Sequence, residues 1–204
     1  MLSNGNSTMA FNNFNEMPDF PYKIIEVLLK DNSQDSEDFW KLLKYADQNA
    51  LSKPNLTLKE KQKIVWTGDS LEQNYNVFLK PLIGSSLDTA EAQTQLRLYR
   101  YNTVPTDQYK AVICFEADFI TNEKTSLVRR NKILCERTDL MESLFLSIMN
   151  GRDIKIGSGV FQFNRELSRS CNSQLNIGNS KSFYGRSLIL GLLFVSGDSG
   201  VGCG

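Results

Sequence analysis

Residues 109–121 read YKAVICFEADFIT, and the alternation in this stretch decides the fold. Ala111, Ile113, Phe115, Ala117 and Phe119 fall on one side of an extended chain, while Val112, Cys114, Glu116 and Asp118 fall on the other. A period of two with β-branched and aromatic residues is the signature of a strand with one face on a core. Upstream, TQLRLYRYNTV (94–104) alternates in the same way and predicts a hairpin partner. Downstream, RRNKILCERTDLMESLFLSIMNG (129–151) carries Ile133/Leu134, Leu140/Met141, Leu144/Phe145 and Ile148/Met149. Those pairs predict one stripe of a long amphipathic helix, stopped by Asn150-Gly151. Two further strands are expected over 158–167 and 182–195, separated by a Ser- and Asn-rich polar loop.

Before the sheet come three short helix candidates. PYKIIEVLLKD (21–31) has Pro21 at its start, SEDFWKLLKYADQNA (36–50) has Ser36 as N-cap, and TLKEKQKIVW (57–66) opens with the capping box Thr57-x-x-Glu60 before Gly68. The expected fold class is α+β: a mostly antiparallel β-β-α-β-β sheet with the long helix on one face, plus an N-terminal group of short helices. The domain plan is a flexible arm over 1–18, one α+β domain over 19–195 and a flexible tail over 196–204. Within the domain, 19–68 is the helical part and 69–195 the β-β-α-β-β core.

Composition narrows the function. The 204-residue chain has 23 Lys plus Arg, 23 Asp plus Glu and no histidine. Zero net charge argues against sequence-independent nucleic-acid binding, which needs a basic surplus, and leaves no charge barrier to self-association. Without an imidazole, the Gly197-Asp198-Ser199-Gly200 tetrapeptide, which spells the surroundings of a serine-protease nucleophile, lacks its general base. Five residues after Ser199 also cannot build a specificity pocket, so that reading is rejected. Cys114, Cys135, Cys171 and Cys203 are scattered, so no zinc site is expected, and Cys114 and Cys135 read as small buried hydrophobes. The N-terminus has no signal-peptide pattern, and no run is long enough to span a membrane.

Four features offer candidate sites. Glu116 and Asp118 point the same way from one strand, as a carboxylate pair for Mg²⁺ would, although the solvated face of a half-buried strand is the ordinary meaning of such a pattern. Arg129 and Arg130, in LVRRNK (127–132), form a basic cluster at the expected start of the long helix, the unfavourable end for cations. Phe11 and Phe14 dot an Asn-rich arm that cannot order itself alone. Arg97, Tyr99, Arg100 and Tyr101 are suited to base stacking but are more ordinary as cross-strand packing. No P-loop is present, and no cofactor is expected.

Several segments together resemble the tail-terminator and head–tail joining (neck) proteins of tailed bacteriophages. They are FWKLLKYA, LSKPNLTLKEKQKIV, YNVFLKPLI, QLRLYRYNTVPTDQYKAVICFEADFIT, LSIMNGRDIKIGSGVFQFN and SFYGRSLILGLLF, spread over residues 22 to 195. The resemblance implies a structural virion protein, not an enzyme, assembled in the host bacterial cytoplasm. It implies rings of six or twelve copies bound to other neck, portal or tail proteins, around a channel that passes DNA without sequence-specific binding. Glu116 and Asp118 would then be candidates for an acidic channel surface, and Phe11, Phe14 and the Gly-rich tail for contacts to adjacent rings. The alternative is a small Mg-dependent nuclease or phosphoryl-transfer enzyme using Glu116 and Asp118. An adaptor domain of a cellular complex would share the fold without the phage setting.

Overall fold

The computed structural model describes residues 18–68, 75–81, 94–105, 110–153, 160–164, 166 and 183–195. Phe11, Phe14, the 168–181 loop and the Gly-rich tail with Ser199 lie outside the described residues. The fold is α+β. In chain order the elements are α1 (Phe20–Lys30), α2 (Gln34–Lys44), α3 (Leu58–Lys63), β1 (Val77–Phe78), β2 (Thr94–Pro105), β3 (Lys110–Asn122), β4 (Leu127–Arg130), β5 (Ile133–Glu136), α4 (Arg137–Met149), β6 (Gln162–Phe163) and β7 (Phe183–Val195).

The main sheet has the order β1-β2-β3-β7-β6. β1 joins β2 in parallel, and the other three pairings are antiparallel. β3 is therefore central, and its alternation sets one face on the core. Its Ile113, Phe115, Ala117 and Phe119 are buried with Leu96 and Leu98 of β2 and Leu188, Leu190 and Leu192 of β7. Onto this face pack Phe20, Ile24, Ile25 and Leu28 of α1, Phe39, Leu42 and Leu43 of α2, and Met141, Phe145 and Met149 of α4. Rings of Phe39, Phe119 and Phe145 meet at centroid distances of 5.5 to 6.3 Å, so helices and sheet share one aromatic cluster. Gly185 sits where β7 runs tightest against β3: a Cβ there would lie 2.4 Å from the Phe119 carbonyl oxygen.

Helix boundaries follow local chemistry. The Thr57/Glu60 capping box forms as expected, with Glu60 N–H on Thr57 Oγ1 and Thr57 N–H on Glu60 Oε2. The N-cap of α2 is Ser33, not Ser36. Ser36 lies inside the helix instead, where its hydroxyl and the Trp40 indole N–H both donate to the carbonyl of Leu28. That closes the end of α1, whose last carbonyls have no partner of their own. α2 stops at Lys44 rather than running to residue 50, and a 3-10 turn over Ala50–Ser52 follows.

The largest departure is at 127–136. Instead of beginning the long helix, these residues form the β4–β5 hairpin, paired from Leu127↔Glu136 to Arg130↔Ile133. Asn131 and Lys132 have φ of 51° and 68°, as a two-residue hairpin turn of the mirror-image type demands and a right-handed helix forbids. Thus Arg129 and Arg130 lie on a strand, Cys135 lies on a strand rather than a helix, and Ile133 and Leu134 are exposed rather than first in the buried stripe. The rest of that stripe, from Leu140 to Met149, is buried as expected, and Gly151 takes the positive φ that ends the helix. The strand expected over 158–167 is only Gln162–Phe163 among the described residues.

Candidate functional site

Glu116 and Asp118 stand on the sheet face turned away from the helices, yet they are not solvated: they are 7% and 4% exposed. Cross-strand register explains what surrounds them. Asp118 lies opposite Arg97 on β2 and Ser187 on β7, and Glu116 lies opposite Tyr99 and Ile189. Period-two geometry puts all these side chains on one face.

Both Asp118 oxygens are engaged. Oδ1 accepts from the Ser187 hydroxyl at 2.5 Å and Oδ2 from the Tyr99 phenol at 3.1 Å. Burial, reinforced by the neighbouring Glu116 charge, pushes the Asp118 carboxyl up to about 6, against the opposing pull of its hydroxyl donors and Arg97. Burial and the two carboxylates hold the Tyr99 phenol protonated far above its ordinary range. Arg97 is 5% exposed; its Nη1 donates to the Pro81 carbonyl at 3.3 Å, whereas Nε and Nη2 are buried without a hydrogen-bond partner.

This arrangement corrects the expectation of a solvated carboxylate face. An acidic channel surface needs carboxylates that face solvent, and these two are buried and engaged with their own sheet. Each Asp118 oxygen accepts one hydroxyl, from Ser187 and from Tyr99, and burial separates both carboxylates from solvent. Among the described residues, no group of three or more His, Cys, Asp or Glu side chains could hold a metal ion. What the cluster can do is hold the sheet register: Asp118 meets Ser187 and Tyr99 only when β2, β3 and β7 align as they do.

Arg129 and Arg130 are brought together elsewhere, on the exposed hairpin with Lys132. Leu127, Ile133 and Leu134 of the same hairpin are 41%, 70% and 47% exposed. Beside β5 an open groove of about 430 Å³ is lined by Arg130, Ile133 and Cys135 on the hairpin and by Glu136, Asp139 and Leu140 at the start of α4. Arg130 marks its basic end, and Glu136 and Asp139 its acidic end.

The residue that anchors this corner is Arg137, which the sequence reading passed over. It is 0% exposed and satisfies all five of its N–H groups on backbone carbonyls. Nε donates to Thr125 at 2.6 Å, Nη1 to Leu42 and Tyr45 at 2.9 Å each, and Nη2 to Ala46 and Asp47 at 3.1 and 3.0 Å. Four of these carbonyls lie in the last turn of α2 and in the three residues after it, and holding them on one guanidinium stops the helix at Lys44. A signal was present: a cation in the first turn of a helix opposes the helix dipole, so it must be held by something else. That argument, applied to Arg129 and Arg130, belonged to Arg137.

No described helix is long and apolar enough to cross a membrane. No family model matches the chain, and no curated protein matches it in sequence.

Proposed function

We propose that this chain is a structural subunit of a tailed-bacteriophage virion, forming a ring of six or twelve copies in the neck. There it joins head- or portal-side proteins to the tail and leaves a channel for DNA. One observation carries the reading beyond the sequence resemblance: exposed aliphatic residues stand at both ends of the long strands. Leu127, Ile133 and Leu134 occupy the hairpin that follows the Asn122 end of β3. At the other end Val104 and Leu193, 46% and 42% exposed, flank Val112 in one cross-strand row. A protomer in a closed ring needs two contact surfaces, one for each neighbour, and exposed apolar clusters are where such contacts form.

The Mg-dependent nuclease is the weaker reading, because Glu116 and Asp118 are buried and Asp118 already serves Tyr99 and Ser187. The test is the mass of the purified chain by light scattering, followed by negative-stain imaging. Closed rings of six or twelve copies are expected; a monomer at all accessible concentrations, with and without candidate neck proteins, would overturn the proposal.

A further inference from the structure

We infer that the β4–β5 hairpin and the 44–63 stretch beside it form one basic face that meets the phosphate backbone of duplex DNA without reading its sequence. The inference rests on the proposed assembly for the identity of the polyanion, since a ring that passes DNA turns one surface of every copy toward it.

The neutrality of the chain is a sum over the whole molecule and conceals an uneven distribution. Arg129, Arg130 and Lys132 are exposed at the hairpin, and none of them makes an ion pair among the described residues. The acids that follow are engaged elsewhere: Glu136 caps α4 and accepts from the Tyr184 phenol, and Asp139 pairs with Arg186. Glu123 and Lys124, just ahead of β4, offset each other.

From the hairpin the cations continue onto the helical layer. Arg129 N–H donates to the Gln48 carbonyl at 2.7 Å, and β4 lies against the turn over Ala50–Ser52. The hairpin therefore stands beside the segment that carries Lys44 and Lys53, both exposed. Lys44 in turn reaches α3: the Glu60 carboxyl, held down first by its hydrogen bonds from Thr57, is drawn further by Lys44 and Lys63. Lys59 is exposed on the same helix. Against these cations stand Asp47, paired with Lys53 at 3.4 Å, and Glu60, closed into its capping box.

Phosphate suits this face better than an acidic protein does. Most of its cations are lysines, which are depleted from protein–protein contacts and are ordinary ligands of the DNA backbone. Adjacent on one strand, Arg129 and Arg130 point to opposite faces of the ribbon, so one hairpin reaches phosphates on either side of it. A contact made to phosphates alone is the same at every step of the duplex and guides DNA without stopping it. It is weak for one copy and multiplied by the number of copies in a ring.

The test is fluorescence anisotropy of a labelled mixed-sequence duplex titrated with the full-length chain over a range of salt, with the mass measured by light scattering in the same buffers. Binding is expected at about 50 mM salt and is expected to weaken steeply toward about 200 mM. Arg129→Gln combined with Arg130→Gln, both at exposed positions, is expected to shallow the slope of log affinity against log salt by about 2 per bound copy. Arg100→Gln, at an exposed position on β2 outside this face, is expected to leave the slope unchanged. Circular dichroism checks that each variant is folded. Rings that ignore the duplex at low salt, a slope unmoved by the double variant, or displacement by polyglutamate as complete as by unlabelled duplex would each overturn the DNA contact and leave the ring reading standing. A monomer that binds duplex and loses slope in the double variant would uphold the contact and overturn the ring.

Discussion

Arg137 and Arg97 are both buried, yet one is finished and the other is not. Arg137 spends five N–H groups on five carbonyls from two separate segments, while Arg97 has one carbonyl partner among the described residues and two buried nitrogens without any. Burial lowers the basicity of each, for Arg137 to about 10. A buried charge without matched partners gains little over an apolar side chain of similar size, whereas removing a group that satisfies several buried partners leaves each of them unpaired. Similar burial thus has opposite consequences, and the partner inventory decides which.

The comparison breaks most visibly at Arg137. Arg137→Met leaves up to five carbonyls without a donor and is expected to lose on the order of 5 kcal/mol or to prevent folding. Arg137→Lys keeps the charge but offers three donors from one atom, and is expected to cost about 3 kcal/mol by urea denaturation. If Lys proved neutral, the guanidinium geometry would not be what joins α2 to the hairpin corner.

Next in size is the pH response of Asp118. In the folded chain its carboxyl keeps its proton up to about pH 6, against about 4 in the unfolded chain. The folded state therefore binds the extra proton between those values, so this group's contribution is most favourable below about pH 4. It declines as the pH rises and is fully lost above about pH 6, by on the order of 2 kcal/mol. Asp118→Asn is expected to flatten the stability profile over that window; an unchanged slope would show that other groups set it.

Smallest is Arg97 itself. Arg97→Met is expected to change stability at neutral pH by less than about 1 kcal/mol. Because Arg97 draws the Asp118 carboxyl downward, the same variant should move the Asp118 window to higher pH, which Arg137→Lys should not do. A loss at Arg97 as large as that at Arg137 would erase the distinction between them.

Legibility varied with the range of the interaction. The capping box at Thr57, the Gly151 stop, the alternation of β3 and the stripe from Leu140 to Met149 were all readable, since each is written within a few residues of itself. The hairpin at 127–136 was not. Ile133 and Leu134 fit the spacing of the following helix, and the turn residues Asn131 and Lys132 lack the glycine that usually advertises φ above zero. For the candidate site, the sequence placed Glu116 and Asp118 on one face correctly and their exposure incorrectly. The alternation that separates two faces does not say whether the polar face meets water.

The sequence alone determined the strand read over 109–121, the helical layer before it, the zero net charge and the lack of any imidazole for acid–base chemistry. Only the tertiary structure decided that Asp118 finds Ser187 sixty-nine positions away, that Arg137 ends α2 across more than ninety, and that Ile133 is exposed. The reason is physical. Periodicity and capping are local properties of the chain, whereas burial, partner count and protonation depend on which distant segments the fold brings against a side chain.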